Sequence, residues 1–384
     1  MDEIPMPPYS DDFGPFGGRI WLNAASIGAM SKVAIEAAHE AISWNVTPSH
    51  LSEEIFHDVP LKLKEALGRL IGTPAQEIIL GNSASYGLHL WANGLPFNRG
   101  DEILLVKGDF PATILPWLGL RKQGIIVKEI QPKGPVLHVD DVKAHLTDST
   151  KVLCATWVDS FTGFALDVKA IGNFCRDNGV WFLLNGTQAL GTRPLNVSKM
   201  PVDGVTSCGY KWLCGPYGTG FCWLQPELLA VLEYNQMYWI VMKDDRDFDQ
   251  IRDYQIRDDV GAERYDVFCT ANFFNFVPWT KSVEYLLAQG ITEIQQFNDK
   301  LVERFLQGLD SNKYSVLSPK ECPERTAIII VSHRRSDHNR EIFHLLTNNG
   351  IDLALREGNL RFSPHLYNTF EEIEQTISIL NNSK

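Results

Sequence analysis

One lysine in this 384-residue chain stands where it can do chemistry. Lys211 lies in Thr206-Ser207-Cys208-Gly209-Tyr210-Lys211-Trp212-Leu213-Cys214-Gly215-Pro216-Tyr217-Gly218-Thr219-Gly220-Phe221, among small residues and aromatics. Burial penalises charge, so a lysine held among apolar groups favours its neutral form. A neutral amine is a nucleophile that condenses with an aldehyde to give a Schiff base. Three other sets of residues suit such an amine. The turn Gly81-Asn82-Ser83-Ala84-Ser85 opens a predicted helix, where free backbone N–H groups and the positive dipole end favour a phosphate. Asp159-Ser160-Phe161-Thr162-Gly163 follows a fully apolar strand, and ligands of α/β sheets gather at the carboxyl ends of strands. Arg361 lies on a short strand before a turn, where a guanidinium can grip a carboxylate through two parallel hydrogen bonds. Arg356 is a second candidate for that grip.

The elements that must position these side chains follow from apolar periodicity and from Gly/Pro punctuation. Residues 1–18 read as an irregular arm, and Ile20-Trp21-Leu22-Asn23-Ala24-Ala25-Ser26-Ile27-Gly28 as a short strand entering a small-residue turn. Helices are expected over 33–44, 51–71, 139–146, 171–178, 283–287, 294–309 and 340–349, with others beginning near 84 and 228. Strands are expected over 77–80, 101–106, 124–130, 152–158, 180–185, 202–208, 220–224 and 326–331. Residues 239–259, with Lys243-Asp244-Asp245-Arg246-Asp247, read as a polar lid or connector. Strands alternating with helices over 20–225 predict a doubly wound α/β fold.

Composition narrows the function. Hydrophobic residues make up 44% and charged residues 21%, as in an ordinary globular enzyme. A formal net charge of -12 disfavours nucleic acid or an anionic membrane surface as partner. No apolar run reaches the length of a membrane span, and the acidic, Pro-containing start lacks the regions of a signal peptide. The cysteines at 154, 175, 208, 214, 222, 269 and 322 are odd in number and scattered. They read as reduced thiols of a cytoplasmic protein, without the spacing of a metal site.

The run Gly209-Tyr210-Lys211-Trp212-Leu213-Cys214-Gly215-Pro216-Tyr217-Gly218-Thr219-Gly220 resembles the cofactor-lysine segment of class V aminotransferase-fold enzymes. That group contains cysteine desulfurases, kynureninase, isopenicillin N epimerase and several C–S lyases, and the likeness recurs at intervals from about Trp21 to Asn368. The resemblance implies an α/β enzyme of pyridoxal 5'-phosphate (PLP) fold type I, with a doubly wound, mostly parallel sheet and a smaller C-terminal α/β domain. It implies an arm at 1–18, a large PLP-binding domain at 19–262 and a small domain at 263–384.

Residue by residue, the resemblance implies Lys211 as the Schiff-base lysine and Ser83, Ala84 and Ser85 on the cofactor phosphate. Phe110 becomes the ring-stacking residue, where cysteine desulfurases carry histidine; stacking adds on the order of 1 kcal/mol beyond burial. Asp159 or Ser160 would stand near the ring hydroxyl, with Thr187 and Gln188 as candidates for hydroxyl and phosphate. Ser207 and Tyr210 would reach the phosphate or steer the imine. Asn23 lies in a turn near the substrate, and Arg361 takes the substrate carboxylate, with Arg356 in reserve. Thr270, in a segment that crosses to a neighbouring subunit, implies a homodimer.

One departure matters for the chemistry. Asn185 stands where the family has an aspartate that keeps the pyridine nitrogen protonated. A neutral amide donates to an unprotonated nitrogen instead, which weakens the electron sink. Transamination suffers most, whereas β-elimination or racemisation tolerates the loss. No cysteine follows Cys322, and the stretch from Arg356 to Leu360 is too short to present one, so persulfide transfer is disfavoured. The chain therefore reads as a lyase acting at Cα of an amino acid, breaking a C–S or similar bond. Alternatives are an epimerase of the isopenicillin N type, a class V aminotransferase, or a non-catalytic PLP binder.

Overall fold

The computed structural model describes residues 8–243, 252, 254–269 and 271–383. Its centre is a seven-stranded sheet made of β2 (Ile78–Gly81), β3 (Glu102–Val106), β4 (Ile126–Ile130), β5 (Thr150–Thr156), β6 (Trp181–Asn185), β7 (Gly204–Cys208) and β8 (Gly220–Leu224). The order across the sheet is β2-β8-β7-β6-β5-β3-β4. β8 runs antiparallel to both neighbours and the other pairs are parallel. A short β1 (Ile20–Trp21) precedes this sheet in the chain.

Sequence explains the layering. Ile103-Leu104-Leu105, Val152-Leu153-Cys154-Ala155 and Phe182-Leu183-Leu184 are unbroken apolar runs, all fully buried. Such runs belong to strands covered on both faces. The covering helices are α1 (Lys32–Trp44), α2 (Glu53–Ile71), α3 (Ala84–Gly94), α4 (Pro111–Leu118), α5 (Val139–His145), α6 (Val168–Asp177) and α7 (Pro226–Ala230). α2 stops at Gly72, whose φ of 75° suits a residue without Cβ. The Asp167 side chain caps α6 by accepting from the Ala170 amide.

The chain then runs through α8 (Phe273–Gln289) and α9 (Ile291–Gly308) to a four-stranded antiparallel sheet. That sheet has the order β12 (Ala354–Arg356), β13 (Asn359–Phe362), β10 (Ile329–His333), β9 (Tyr314–Val316). α10 (Asn339–Asn348) and β11 (Ile351–Asp352) lie between β10 and β12, and α11 (Phe370–Asn382) closes the described chain. β1 pairs in parallel with β11, Ile20 opposite Ile351 and Trp21 opposite Asp352.

Several boundaries differ from expectation. The helix expected at 283–287 begins at Phe273, because α8 packs on α1 and α2 and buries Phe276, Trp279, Val283 and Leu286. Pro278 inside it removes a backbone donor, and burial outweighs that local cost. The strand expected over 326–331 is shifted to Ile329–His333, and Thr326 instead donates its hydroxyl to Gly163 O. Part of the polar connector, residues 244–251 and 253, falls outside the described residues.

Candidate active site

Topology creates the crevice. From β3 the chain moves outward to β4, then returns to β5 and proceeds the other way to β6 and β7. The loops after β3 and β5 therefore diverge, and such a switch point is where open α/β sheets hold ligands. Asp109-Phe110 leaves β3 here, Ser160-Phe161 leaves β5, and Asn185 and Cys208 end β6 and β7. Phe110 and Phe161 stack with centroids 6.2 Å apart and planes 24° apart.

A cavity at this point is lined by Ser83, Ala84, Ser85, Phe110, Ala112, Thr156, Ser160, Asn185, Thr187, Gln188, Cys208, Tyr210 and Lys211. Residues from five separate turns thus meet around one amine. Lys211 is buried, and its pKa is pushed below the ordinary lysine value by burial first. The charges of Arg361 and Arg356 push it further down, against an opposing contribution from Cys208. Its Nζ lies 5.6 Å from the Phe110 ring centre and 6.0 Å from that of Tyr210.

The backbone around the lysine is tightly held. Gly209 N donates to Thr219 O, Gly215 N to Gly209 O and Cys214 N to Lys211 O, while Cys214 adopts a φ of 52°. Gln188 accepts from Trp212 Nε1 at 2.7 Å and donates to Ala25 O at 3.0 Å. His365 Nε2 donates to Trp212 O, and its Nδ1 accepts from Asn298. Burial pushes His365 down to about 3, so it serves as a neutral clamp. Gly28 N donates to Tyr210 O, and a Cβ on Gly28 would meet Lys211 O at 1.8 Å. Gly28→Ala is therefore expected to lower Tm and to abolish capture of an aldehyde by Lys211. Thermal melts and absorbance titration with the aldehyde check this, and the cost expected of such overpacking is about 1–3 kcal/mol or more.

The turn at Ser83-Ala84-Ser85 lines the cavity at the start of α3. Ser83 is the N-cap of α3, yet its side chain does not cap the helix; its hydroxyl turns to Asn82 Oδ1. The first amides of α3 thus have no acceptor from the N-cap side chain. Gly220 packs beneath, where a Cβ would meet the Ser83 backbone at 2.4 Å.

Arg361 is buried, donating from Nη2 to Ser26 Oγ at 2.7 Å and from Nη1 to Ser160 O at 3.2 Å. Among the described residues its Nε has no acceptor. Arg356 Nη2 approaches the same Ser26 Oγ at 3.4 Å. Among the described residues neither guanidinium has a carboxylate partner. Nearby in the same turn, Asn23 Oδ1 is buried without a donor among the described residues. Arg361, Arg356 and Asn23 thus stand beside the cavity rather than in its wall.

Two expected residues are placed elsewhere. Ser207 points away, because side chains alternate along β7 and Cys208 takes the cavity side; the Ser207 hydroxyl donates to Cys208 O. Asp159 is spent on its own loop, accepting from the amides of Phe161 and Thr162 and from the Thr162 hydroxyl, which leaves Ser160 in the wall. Thr270 lies outside the described residues. Cys208, Thr156 and Ala112 were not anticipated in the wall; strand alternation signals the first, and position at the end of β5 the second.

The donor set fits PLP. It offers helix amides and hydroxyls for a phosphate, an aromatic face for a ring, and a lysine amine below its usual pKa for an aldehyde. Among the described residues no group of three or more His, Cys, Asp or Glu is placed to hold a metal. No helix there is long and apolar enough to cross a membrane.

The fold and this site define a PLP enzyme of fold type I. Residues 21–376 match the aminotransferase class-V family, and the chain belongs to it. It is 26% identical to a probable cysteine desulfurase of Methanothermobacter thermautotrophicus, over 93% of this chain and 92% of that one. It is 28% identical to the isopenicillin N epimerase of Streptomyces clavuligerus, over 57% and 56% of the two chains. The solved cystine C–S lyase C-DES, in complex with its product cysteine persulfide, superposes with a TM-score of 0.86 at 20% identity. That superposition covers 95% of this chain and 98% of that one.

Proposed function

We propose that the protein is a PLP-dependent lyase that removes the Cα proton of an amino acid and expels a sulfur or similar substituent from Cβ. The observation that carries this reading is the company of Lys211. A buried amine with a lowered pKa stands beside two arginines that have no carboxylate partner among the described residues. Bound at Lys211, PLP supplies an electron sink for negative charge developing at Cα. Arg361, helped by Arg356, holds the substrate carboxylate and so fixes which Cα bond faces that sink. With its amine free, Lys211 would take the Cα proton as general base. Ser83, Ser85 and the Ala84 amide hold the phosphate, Phe110 sets the plane of the ring, and Ser160 and Gln188 stand by its hydroxyl.

The choice of elimination rests on two features. Asn185 Oδ1 accepts from Thr187 N and its Nδ2 donates to Thr113, so its amide is fixed. Such an amide leaves a ring nitrogen unprotonated and the sink shallow, which suits a reaction with a good leaving group. The β12–β13 hairpin also turns through Glu357 and Gly358 alone, at φ of 47° and 75°. With no cysteine there, sulfur leaves as a small molecule rather than as an enzyme persulfide.

Protein incubated with PLP and then with cysteine, cystine or cysteine conjugates is expected to release a 2-oxo acid and ammonia. Solvent deuterium entering Cα without that release favours an epimerase, and amino transfer to an added 2-oxo acid overturns the lyase reading. Asn185→Asp restores a carboxylate partner for a protonated ring nitrogen. It is expected to raise the rate of amino transfer about tenfold, equivalent to about 1.4 kcal/mol, as read in a single-turnover absorbance assay.

The working unit is proposed to be a homodimer, with Thr270 reaching the partner's phosphate site. Val33, Ile35 and Ile42 of α1, Phe56 and Leu61 of α2, and Phe268 are all exposed apolar side chains, a density that marks an interface.

A further inference from the structure

A buried carboxylate that the proposed reaction does not use lies behind the site. Asp109, 8% exposed, follows β3 at the switch point. Its Oδ2 accepts from Thr156 N at 2.9 Å, and its Oδ1 accepts from the Phe110 amide at 2.6 Å and from the Thr156 hydroxyl. Thr156 Oγ1 is 3.1 Å from Thr113 Oγ1, which is 2.9 Å from Asn185 Nδ2. Thr113 is fully buried and Asn185 is 3% exposed, so water does not interrupt the series.

The direction of every bond in this series follows from its far end. Both Asp109 oxygens accept backbone N–H bonds, Oδ2 from Thr156 and Oδ1 from Phe110, as a carboxylate does; burial, with Asp159 adding to the rise, brings its pKa only to about 6. A carboxylate only accepts. The single hydroxyl proton of Thr156 is therefore committed to Asp109, and Thr156 must accept from Thr113. That commits the Thr113 proton, so Thr113 must in turn accept from its neighbour. Asn185 can meet this demand with its nitrogen and never with its oxygen. At the opposite end Thr187 N, a donor, claims Oδ1 at 3.1 Å. Among the described residues one N–H of Asn185 remains uncommitted.

We propose that Asp109 is a positioning residue for Asn185: through Thr156 and Thr113 it fixes the amide so that the group left for the ligand is a donor N–H, which selects a ring nitrogen that carries no proton. This rests on the reading of Asn185 as the partner of the PLP ring nitrogen. Thr187 N selects Oδ1 at one end of the amide, and the buried carboxylate, acting through the two hydroxyls, selects Nδ2 at the other, so both ends enforce one orientation. The site thus specifies its weak electron sink from two residues in different loops.

The test uses PLP labelled with 15N at the ring nitrogen and bound to the full-length protein. In the native chain the 15N shift is expected in the unprotonated range. Thr113→Val keeps the shape and cuts the series; its 15N signal is expected to move toward the protonated range, and the Kd for PLP to rise about tenfold. Thr113→Ser, which restores a hydroxyl, returns both to native values. Asp109→Asn, which can donate toward Thr156, reproduces the Thr113→Val shift and stands in for it should the valine chain not fold. A chromophore that forms in these variants with an unmoved 15N signal overturns the role of Asp109. Absence of any lysine-bound chromophore in the native chain overturns the cofactor reading itself, and the two failures are thereby distinct.

Discussion

Lys211→Ala is expected to remain colourless in the presence of PLP and to gain no mass after borohydride reduction, whereas the native chain turns yellow and gains the reduced cofactor at residue 211. Turnover should fall by about 10²–10⁴-fold, the span attributed to a positioned general base. Two structural facts make the loss specific. The amine is held below its ordinary pKa by burial and by the two arginines. In addition, the loop that carries it is fixed by Gly28, Gln188 and His365 through backbone or neighbouring contacts that do not involve the amine. The alanine chain should therefore fold, with Tm at or above the native value, since an amine that is costly to bury has been removed. For the native chain, capture of PLP should accelerate as pH rises through the lowered lysine pKa, because only the neutral amine attacks. A yellow alanine variant with a reducible linkage would show that another amine is the partner.

Arg361→Met is expected to separate stability from function. The guanidinium is 2% exposed and its pKa is pushed down to about 10, by burial first and then by Arg356. A base whose pKa is lower in the folded chain than in the unfolded one costs stability wherever it is charged in both. The cost is thus fully present below about pH 10 and fades only above it. On the scale of 1.36 kcal/mol per unit it is about 3 kcal/mol, offset in part by the bonds to Ser26 and Ser160. Methionine fills similar volume without the charge, so Tm should rise or hold. The kcat/KM for an amino acid should fall about 10²-fold, because the carboxylate loses a buried charged partner. The free substrate amine without its carboxylate should show no such difference between the two proteins. A fall in Tm with unchanged kcat/KM would make Arg361 a structural residue.

Much of the site is legible in sequence because it is built from local signals at strand ends. The lysine loop, the Ser83 turn and Asn185 each combine a chain-local pattern with an apolar strand that must end at the sheet's carboxyl edge. What the sequence hides is orientation and long-range pairing. Ser207 and Cys208 are adjacent, and only the phase of β7 decides which faces the cavity. Asp159 and Ser160 are both polar, and only the turn, closed by amide bonds to the carboxylate, separates them. Thr113 and Thr156 carry no sequence mark of their bond, since they belong to elements 43 residues apart. The first half of α8 is hidden for another reason: Phe273-Phe274-Asn275-Phe276 lacks helical alternation, and its conformation is set by packing on α1 and α2. α11 is absent from the helices expected above, although its Thr369/Glu372 capping box is a local signal carried by the chain.

The parallel pairing of β1 with β11 has a consequence for the order in which the molecule is born. The turn that seats Gly28 on the lysine loop is itself held by Asp352 O and Ser363 O, through Leu22 N and Ala24 N. Asn368 also donates to Trp21 O. A nascent chain on the ribosome carries Lys211 into the open long before those residues are translated. Contacts spanning such separations close late, so the lysine loop gains its final seat only after residues 352–368 have joined the fold.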